Sequence, residues 1–360
     1  MFKIKLMFIL LCSLGIFLAQ EDLNTRIKTS LTKGIHYLKS QQKEKVYWGN
    51  LGYTALVTKV YQDVLPLGLV TLEEIQALTE FIASYAKEDG GIYDEPQNTN
   101  YVTSICLMAL GKDEKYAQIR QKAQEYLIGG QRTEKNGTLP NDKFYGGFGY
   151  GGEKRNWCDL SNTNLALEAL SESGVPGNHE VFQKALKFLE RCQHQSEYND
   201  QDWASDLPEE RGGFVYYPGN SKAGSTTLPN GKILHHSYGS MTYVGIKSMI
   251  YATVDKNDPR ITAAMEWLQN HYSVEMNPGM GLQGLYYYYH TFAKALCVYG
   301  TETIKSADGE HFWRKDLSEK LMQVQKEDGH WINEEPRWFE SEPTLVTCYS
   351  LLALRLCYKE

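Results

Sequence analysis

Few architectures can accommodate a chain in which one apolar octamer recurs six times. Each copy begins at a threonine, and the six align without a gap: TALVTKVY from Thr54, TSICLMAL from Thr103, TNLALEAL from Thr163, TYVGIKSM from Thr242, TFAKALCV from Thr291 and TCYSLLAL from Thr347. Two and seven residues after the threonine stands an aliphatic residue, methionine or tyrosine. Four residues after it stands an aliphatic one, except at Thr58. Segments so spaced and almost without charge predict helices buried on most sides.

A second kind of segment lies between them. LEEIQALTEFIASYAK, VFQKALKFLERCQ and ITAAMEWLQNHY carry apolar residues three or four apart on one face and charges on the other. These predict helices with one wet side. Asn257-Asp258-Pro259 offers entry chemistry for one of them. Six wet-faced helices alternating with six dry ones predict six α-hairpins, with the dry helices inside and the amphipathic ones outside. That is an all-α, (α/α)6 toroid. The threonines stand from 49 residues apart (Thr54 to Thr103) to 79 (Thr163 to Thr242), which suits a closed ring with insertions at one end better than a uniform open solenoid.

Glycine-rich aromatic pieces follow the wet helices: KEDGGIYDE, FYGGFGYGGE, ERGGFVYYPG and QKEDGHWINE. Paired glycines permit tight or left-handed backbone, and the following Phe, Tyr or Trp can pack beneath the turn and staple successive hairpins. None is a phosphate-binding loop ending in Lys-Ser/Thr.

The first twenty residues differ from the rest. Lys3 and Lys5 precede an apolar run from Leu6 to Leu18, and the sequence turns polar after Ala19-Gln20. This is the layout of a secretory signal, so residues 1–20 are expected to be removed and residues 21–360 to form one exported domain, periplasmic or extracellular. Six of the seven cysteines remain after cleavage, most inside apolar helical patterns, and their pairing is open. A net charge of −7 gives no electrostatic reason for a nucleic-acid partner. The 25 tyrosines suit cavity walls, since a phenol joins apolar area to a hydrogen-bond donor.

Together the turns and helices resemble the squalene-cyclase/prenyltransferase repeat superfamily of helical toroids. Gln325-Lys-Glu-Asp-Gly-His-Trp331 is similar to its Gln-Gly-Trp turn. SYGSMTYVGIKSMIYA and NPGMGLQGLYYYYHTFAKAL are similar to secreted bacterial members without an assigned reaction. The resemblance implies a terpenoid-cyclase-like toroid that takes an apolar, polyprenyl-type small molecule and isomerises or cyclises it. Two family patterns are incomplete here. Where squalene cyclases carry Asp-x-Asp-Asp, this chain has Asp159-Leu160-Ser161-Asn162, and a serine hydroxyl is too weak an acid to protonate an alkene. His290-Thr291 matches the zinc-ligand histidine of protein prenyltransferases, but Tyr238-Gly239-Ser240 stands in place of Asp-x-Cys. No metal or other cofactor is therefore expected.

Closure of the ring would bring the starts of the dry helices to one rim. Asp159, Tyr238 and His290 are the catalytic candidates there. Trp157, His235, His236, Tyr286 and Tyr289 are candidate ligand contacts, and Arg211 a candidate partner for an anionic group, with pairing to Glu209 or Asp206 as its structural alternative. Two other functions fit the same residues: a polysaccharide lyase or hydrolase using Tyr289 and His290 as an acid/base pair, and a non-catalytic protein-binding scaffold. The 193–236 insertion is expected to act as a lid or binding loop, and EEPRWFESEPTL to close the ring against the N-terminal hairpin.

Overall fold

The computed structural model describes residues 2–43, 47–152 and 157–359, with side chains from Glu21 onward. The six threonine segments form its inner ring: α2 (Leu51–Val64), α4 (Thr99–Leu110), α6 (Leu160–Glu172), α8 (Gly239–Tyr251), α10 (Leu285–Tyr299) and α12 (Pro343–Cys357). Each packs on the next, and α12 packs back on α2, so the ring is shut. The outer helices are α1 (Phe2–Ser40), α3 (Leu72–Ala83), α5 (Ala117–Gly130), α7 (Glu180–Arg191), α9 (Pro259–Asn270) and α11 (Trp313–Val324). Helices α3, α5 and α7 each bridge two inner neighbours, while α1 and α11 lie against α12. This is an all-α (α/α)6 toroid. The expected signal segment coincides with the first half of α1, and its side chains, with Met1, lie outside the described residues.

The recurring threonine has a mechanical reason. All six are buried. In five of the six units its Oγ1 accepts the backbone N–H of the apolar residue in the preceding turn: Trp48 to Thr54 at 3.3 Å, Ile92 to Thr103 at 3.0 Å, Phe148 to Thr163 at 3.0 Å, Phe214 to Thr242 at 3.2 Å and Trp331 to Thr347 at 3.2 Å. Those five turn residues are themselves buried. One hydroxyl thus pins an apolar plug and satisfies a buried donor, which would cost about 1–3 kcal/mol if left unpaired. Thr291 is the exception: its hydroxyl donates to Tyr288 O in its own helix.

The glycines and glutamines of the turns tie one unit to the next. Gly146 has φ +84° and lies so close to α7 that a Cβ would come within 1.9 Å of Lys184 O; Gly212 repeats this against Ala263 O of α9 at 2.1 Å. No side chain fits there. The glutamine just past each of three outer helices does the same work with its amide. Gln131 Nε2 donates to Gly146 O and Val181 O, Gln193 Nε2 to Gly212 O and Arg260 O, and Gln325 Nε2 to Gly329 O and Ser30 O. The last joins α11 to α1 and closes the outer ring.

Two antiparallel β-hairpins interrupt the helices. The first, β1 (Ser225–Thr227) with β2 (Ile233–His235), belongs to the 193–236 insertion; the second, β3 (Ile304–Ser306) with β4 (Gly309–His311), links α10 to α11. The C-terminal segment runs into α12, which packs on α1 and α2, and its Glu340 caps α10, accepting the Tyr287 N–H at 2.8 Å and the Tyr286 N–H at 3.3 Å. Cys106, Cys158, Cys192, Cys297, Cys348 and Cys357 are free thiols.

Candidate functional site

Because the inner helices run parallel, residues at helical spacing on their inward faces form layers along the toroid axis. On α10 that stripe is Tyr287, His290 and Lys294; on α6 it is Ser161, Leu165, Glu168 and Glu172. All are partly accessible except Glu168, which is buried. In the ring, α6 and α10 are separated by α8, yet Ser161 Oγ and Tyr287 Oη meet at 2.7 Å. The inward faces therefore touch across the axis.

The layer at the helix starts is aromatic. Tyr101 stacks on Tyr150 at 6.1 Å, Tyr150 meets Trp157 edge-on at 5.8 Å, and Trp157 lies 6.2 Å from Tyr216 and 5.9 Å from Tyr217. Across the ring, Tyr287 meets Tyr349 at 5.8 Å, and His290 stacks on the same Tyr349 at 5.7 Å. A side-chain contact between Tyr101 and Tyr349 joins the two groups. Tyr53, Tyr101, Trp157, Tyr287 and His290 keep accessible surface although they face inward.

The layer at the helix ends is ionic. Lys247 of α8 meets Glu168 at 2.7 Å. Lys294 of α10 lies 3.2 Å from Glu168 and 2.9 Å from Glu172, and Lys59 of α2 reaches Glu172 at 3.4 Å. Burial pushes the Glu168 carboxyl up, but Lys247 and Lys294 overcome this and hold it well below the usual range. Helices α2, α6 and α10, alternate members of the ring, converge at this floor. Charges so enclosed are tolerated only because each is paired.

His290 lies between the layers, one turn past Tyr287 and one before Lys294. Burial, then the Lys247 charge, pushes its imidazole down to about 3, so it is neutral. Among the described residues neither ring nitrogen meets a protein hydrogen-bond partner.

The other candidates divide into two groups. Asp159 is the N-cap of α6 and is fully buried; Oδ1 accepts the Asn162 N–H at 2.9 Å and Oδ2 the Asn162 amide at 2.7 Å. Burial raises its carboxyl to about 6 against those bonds and one from Tyr216. Tyr238 precedes α8, buried within reach of Tyr287 and Asp159, and Trp157 joins the aromatic layer. The rest point elsewhere. The Tyr289 hydroxyl donates outward to Val274 O at 2.7 Å, so it makes no acid/base pair with His290, and Tyr286 packs edge-on against Tyr289. His236 is held by Glu210 and Thr226, each at 2.8 Å, and His235 packs on Trp203 within the insertion. Arg211 is on the surface and pairs with Glu266 of α9 at 3.5 Å rather than with Glu209 or Asp206.

Sequence reasoning missed the ionic floor. Its signal was available: Lys59, Glu168 and Lys247 all stand five residues after the repeat threonine, which places three charges at one level of a closed ring. Away from the axis, a polar cleft of about 660 Å³ opens beside α5, bounded by Glu88, Asn100, Tyr126, Gly130 and Gly151. Among the described residues no group of three or more His, Cys, Asp or Glu side chains is placed to hold a metal ion, and no helix is long and apolar enough to cross a membrane.

Comparison with solved structures places this geometry. The type II terpene cyclase MstE from Scytonema superposes with a TM-score of 0.58 over 92% of this chain and 98% of its own, at 10% identity. The same enzyme bound to geranylgeranyl dihydroxybenzoate, its substrate, gives 0.57 over 94% of this chain and 98% of its own; bound to its product, merosterolic acid A, it gives 0.55 over 93% and 97%, again at 10% identity. This chain has the terpenoid-cyclase fold. No protein-family model and no curated protein sequence matches it. In this terpenoid-cyclase-like toroid the start of α6, where a cyclase-type acid would stand, holds a capping aspartate with both oxygens engaged and a serine bonded to tyrosine.

Proposed function

We propose that this terpenoid-cyclase-like toroid is an exported protein that binds an apolar, prenyl- or terpenoid-type molecule in the aromatic layer of its axis. The observation that carries this reading is the convergence of Tyr101, Trp157, Tyr287, His290 and Tyr349 from four sides of the ring toward its axis, where all but Tyr349 keep accessible surface. Aromatic faces supply large apolar area with hydroxyls at its edge. A solved neighbour in fold binds a geranylgeranyl compound, and this supports the ligand class. Export rests on the first twenty residues.

Binding fits better than proton-initiated cyclisation. Asp159 serves as a cap, His290 is neutral, and lysines surround the deepest part of the space, where they disfavour a carbocation. The test is organic extraction of the purified protein followed by mass spectrometry, with prenyl compounds titrated into the extracted protein. A retained or rebound prenyl-type lipid supports the reading. An empty protein that binds no prenyl compound refutes it. A carbohydrate-active protein is the second reading, favoured by the polar cleft beside α5 with its Tyr126 wall. Retention on a polysaccharide resin, abolished by Tyr126→Ala, would support that instead.

A further inference from the structure

The interior holds many polar groups; most are paired, while a few buried atoms, the Tyr61 hydroxyl, the Trp203 indole N–H and the Gln195 amide among them, are not. Ser161 and Tyr287 bond each other, and the lysines of the floor are matched by Glu168 and Glu172. Asn164 and Ser248 bond each other at 3.2 Å. His290 stands apart. Its ring lies flat against Tyr349, tilted by 14°, with accessible surface and, among the described residues, no hydrogen-bond partner at either nitrogen. An inward-facing ring with accessible surface and free nitrogens is open to a hydrogen bond from whatever enters the axis.

A neutral imidazole offers one N–H donor and one acceptor nitrogen. What it can recognise is set by its neighbours. Toward the rim the walls are tyrosine and tryptophan; toward the helix ends they are closed by the ion-paired floor. A chain entering from the rim would first have to pass the Ser161–Tyr287 bond, one turn above His290, and beyond the imidazole it would meet Lys247–Glu168 and Lys294–Glu172. A hydrocarbon tip would leave the imidazole unpaired. A diphosphate tip would compete with Glu168 and Glu172 for lysines already engaged. A cationic tip would face Lys247 and Lys294. An uncharged group that both donates and accepts, a hydroxyl above all, satisfies the ring without disturbing the floor.

We infer that the toroid selects a prenyl-type ligand ending in an uncharged hydroxyl, which meets the unpartnered ring of His290 between the aromatic rim and the Lys247–Glu168 floor. This rests on the reading that a prenyl ligand occupies the axis, and it adds the polar end of that ligand and the residue that reads it. His290 is here a specificity residue; no chemistry is asked of it.

The discriminating experiment titrates purified, lipid-extracted protein with farnesol, geranylgeraniol, farnesyl diphosphate and the hydrocarbon farnesene, followed by intrinsic fluorescence. The expected result is that the alcohols bind about ten-fold or more tighter than farnesene, as befits a site built around one buried hydrogen bond, and tighter than the diphosphate. His290→Phe should erase the gap between alcohol and hydrocarbon. His290→Gln, which still donates and accepts, should keep part of the gap. Equal binding of farnesol and farnesene by the wild type, a gap that survives His290→Phe, or preference for the diphosphate would each overturn the inference and leave prenyl binding standing. Binding of none of the four would remove prenyl binding itself, and the inference with it. If His290→Phe fails to fold, the wild-type ranking and His290→Gln decide.

Discussion

Five of the six inner helices are fastened to the turn before them, and α10 is not. In the five, a buried threonine takes the N–H of the plug residue, and in four of these turns the glycine lies against the next outer helix. Before α10 the turn bears no such plug, Thr291 bonds only within its helix, and the helix start is held by Glu340, a carboxylate from far along the chain. This exception also carries Tyr287 and His290. Local consistency gives way where the inner wall is unusual, as expected if that helix serves something other than packing. The difference can be attacked from either side.

The largest effect should come from the turn glycines. Gly146→Ala forces a left-handed alanine against Lys184 O and should cost about 4 kcal/mol, through strain and displacement of α7 together. Gly281→Ala, in the turn before α10, is also left-handed but meets nothing within 4 Å, and should cost about 1 kcal/mol. Urea unfolding midpoints at constant slope measure both. Equal costs would erase the contrast. The threonines come next. Thr163→Val strands the Phe148 N–H in the core and should cost about 2 kcal/mol, whereas Thr291→Val removes only a bond within α10 and should cost less than about 1 kcal/mol.

Glu340→Gln tests the substitute fastening. An amide oxygen still accepts from one of the α10 N–H groups, but the NH2 that replaces the second oxygen cannot accept from the others or from the Asn333 amide, so the loss should be about 1 kcal/mol. Its pH dependence has a definite sign. Burial raises the Glu340 carboxyl above its ordinary range. The folded state then holds this proton more tightly than the unfolded one, and stability falls as pH rises through the raised value. The wild type's advantage over Glu340→Gln should therefore be largest in acid and shrink toward neutrality, as denaturation at pH 4.5 and pH 7 would show.

How much of this was legible in advance follows the same division. The threonine register, the glycine-aromatic turns and the wet-faced helices are periodic, and a periodic pattern announces packing because every copy meets the same neighbours. The capping of α6 by Asp159 could be read from local spacing alone. The ionic floor was harder, since Lys59, Glu168 and Lys247 look like isolated defects in apolar segments until the ring is closed and their shared offset becomes a shared level. Glu340 could not be placed at all: 53 residues separate it from Tyr287, and no local rule selects that helix start over another. The outward turn of Tyr289 has a similar cause. Four consecutive tyrosines on a helix must point to four sides, and the sequence does not say which one faces the axis.

His290 supplies the smallest effect at neutral pH and the sharpest test of where α10 points its wall. If the ring is enclosed between Tyr349 and the lysines, its imidazole stays neutral in the folded protein down to about 3, whereas an unfolded histidine takes up a proton near 6.5. The unfolded state thus binds more protons between those values, so this contribution is complete above pH 6.5 and is lost as pH falls through the window. Between pH 7.5 and 5.5 it should remove about 1 kcal/mol. Asp159, raised to about 6, works in the opposite sense over part of that range and masks the loss in wild type alone. His290→Gln keeps Asp159 and deletes the imidazole, so the difference between the two proteins isolates it: the variant should gain on the wild type steadily as pH is lowered from 7.5 to 5.5. Parallel pH profiles would mean that the ring is protonated as freely in the folded chain as in the unfolded one, which an imidazole set among Lys247, Lys294 and Lys59 cannot be.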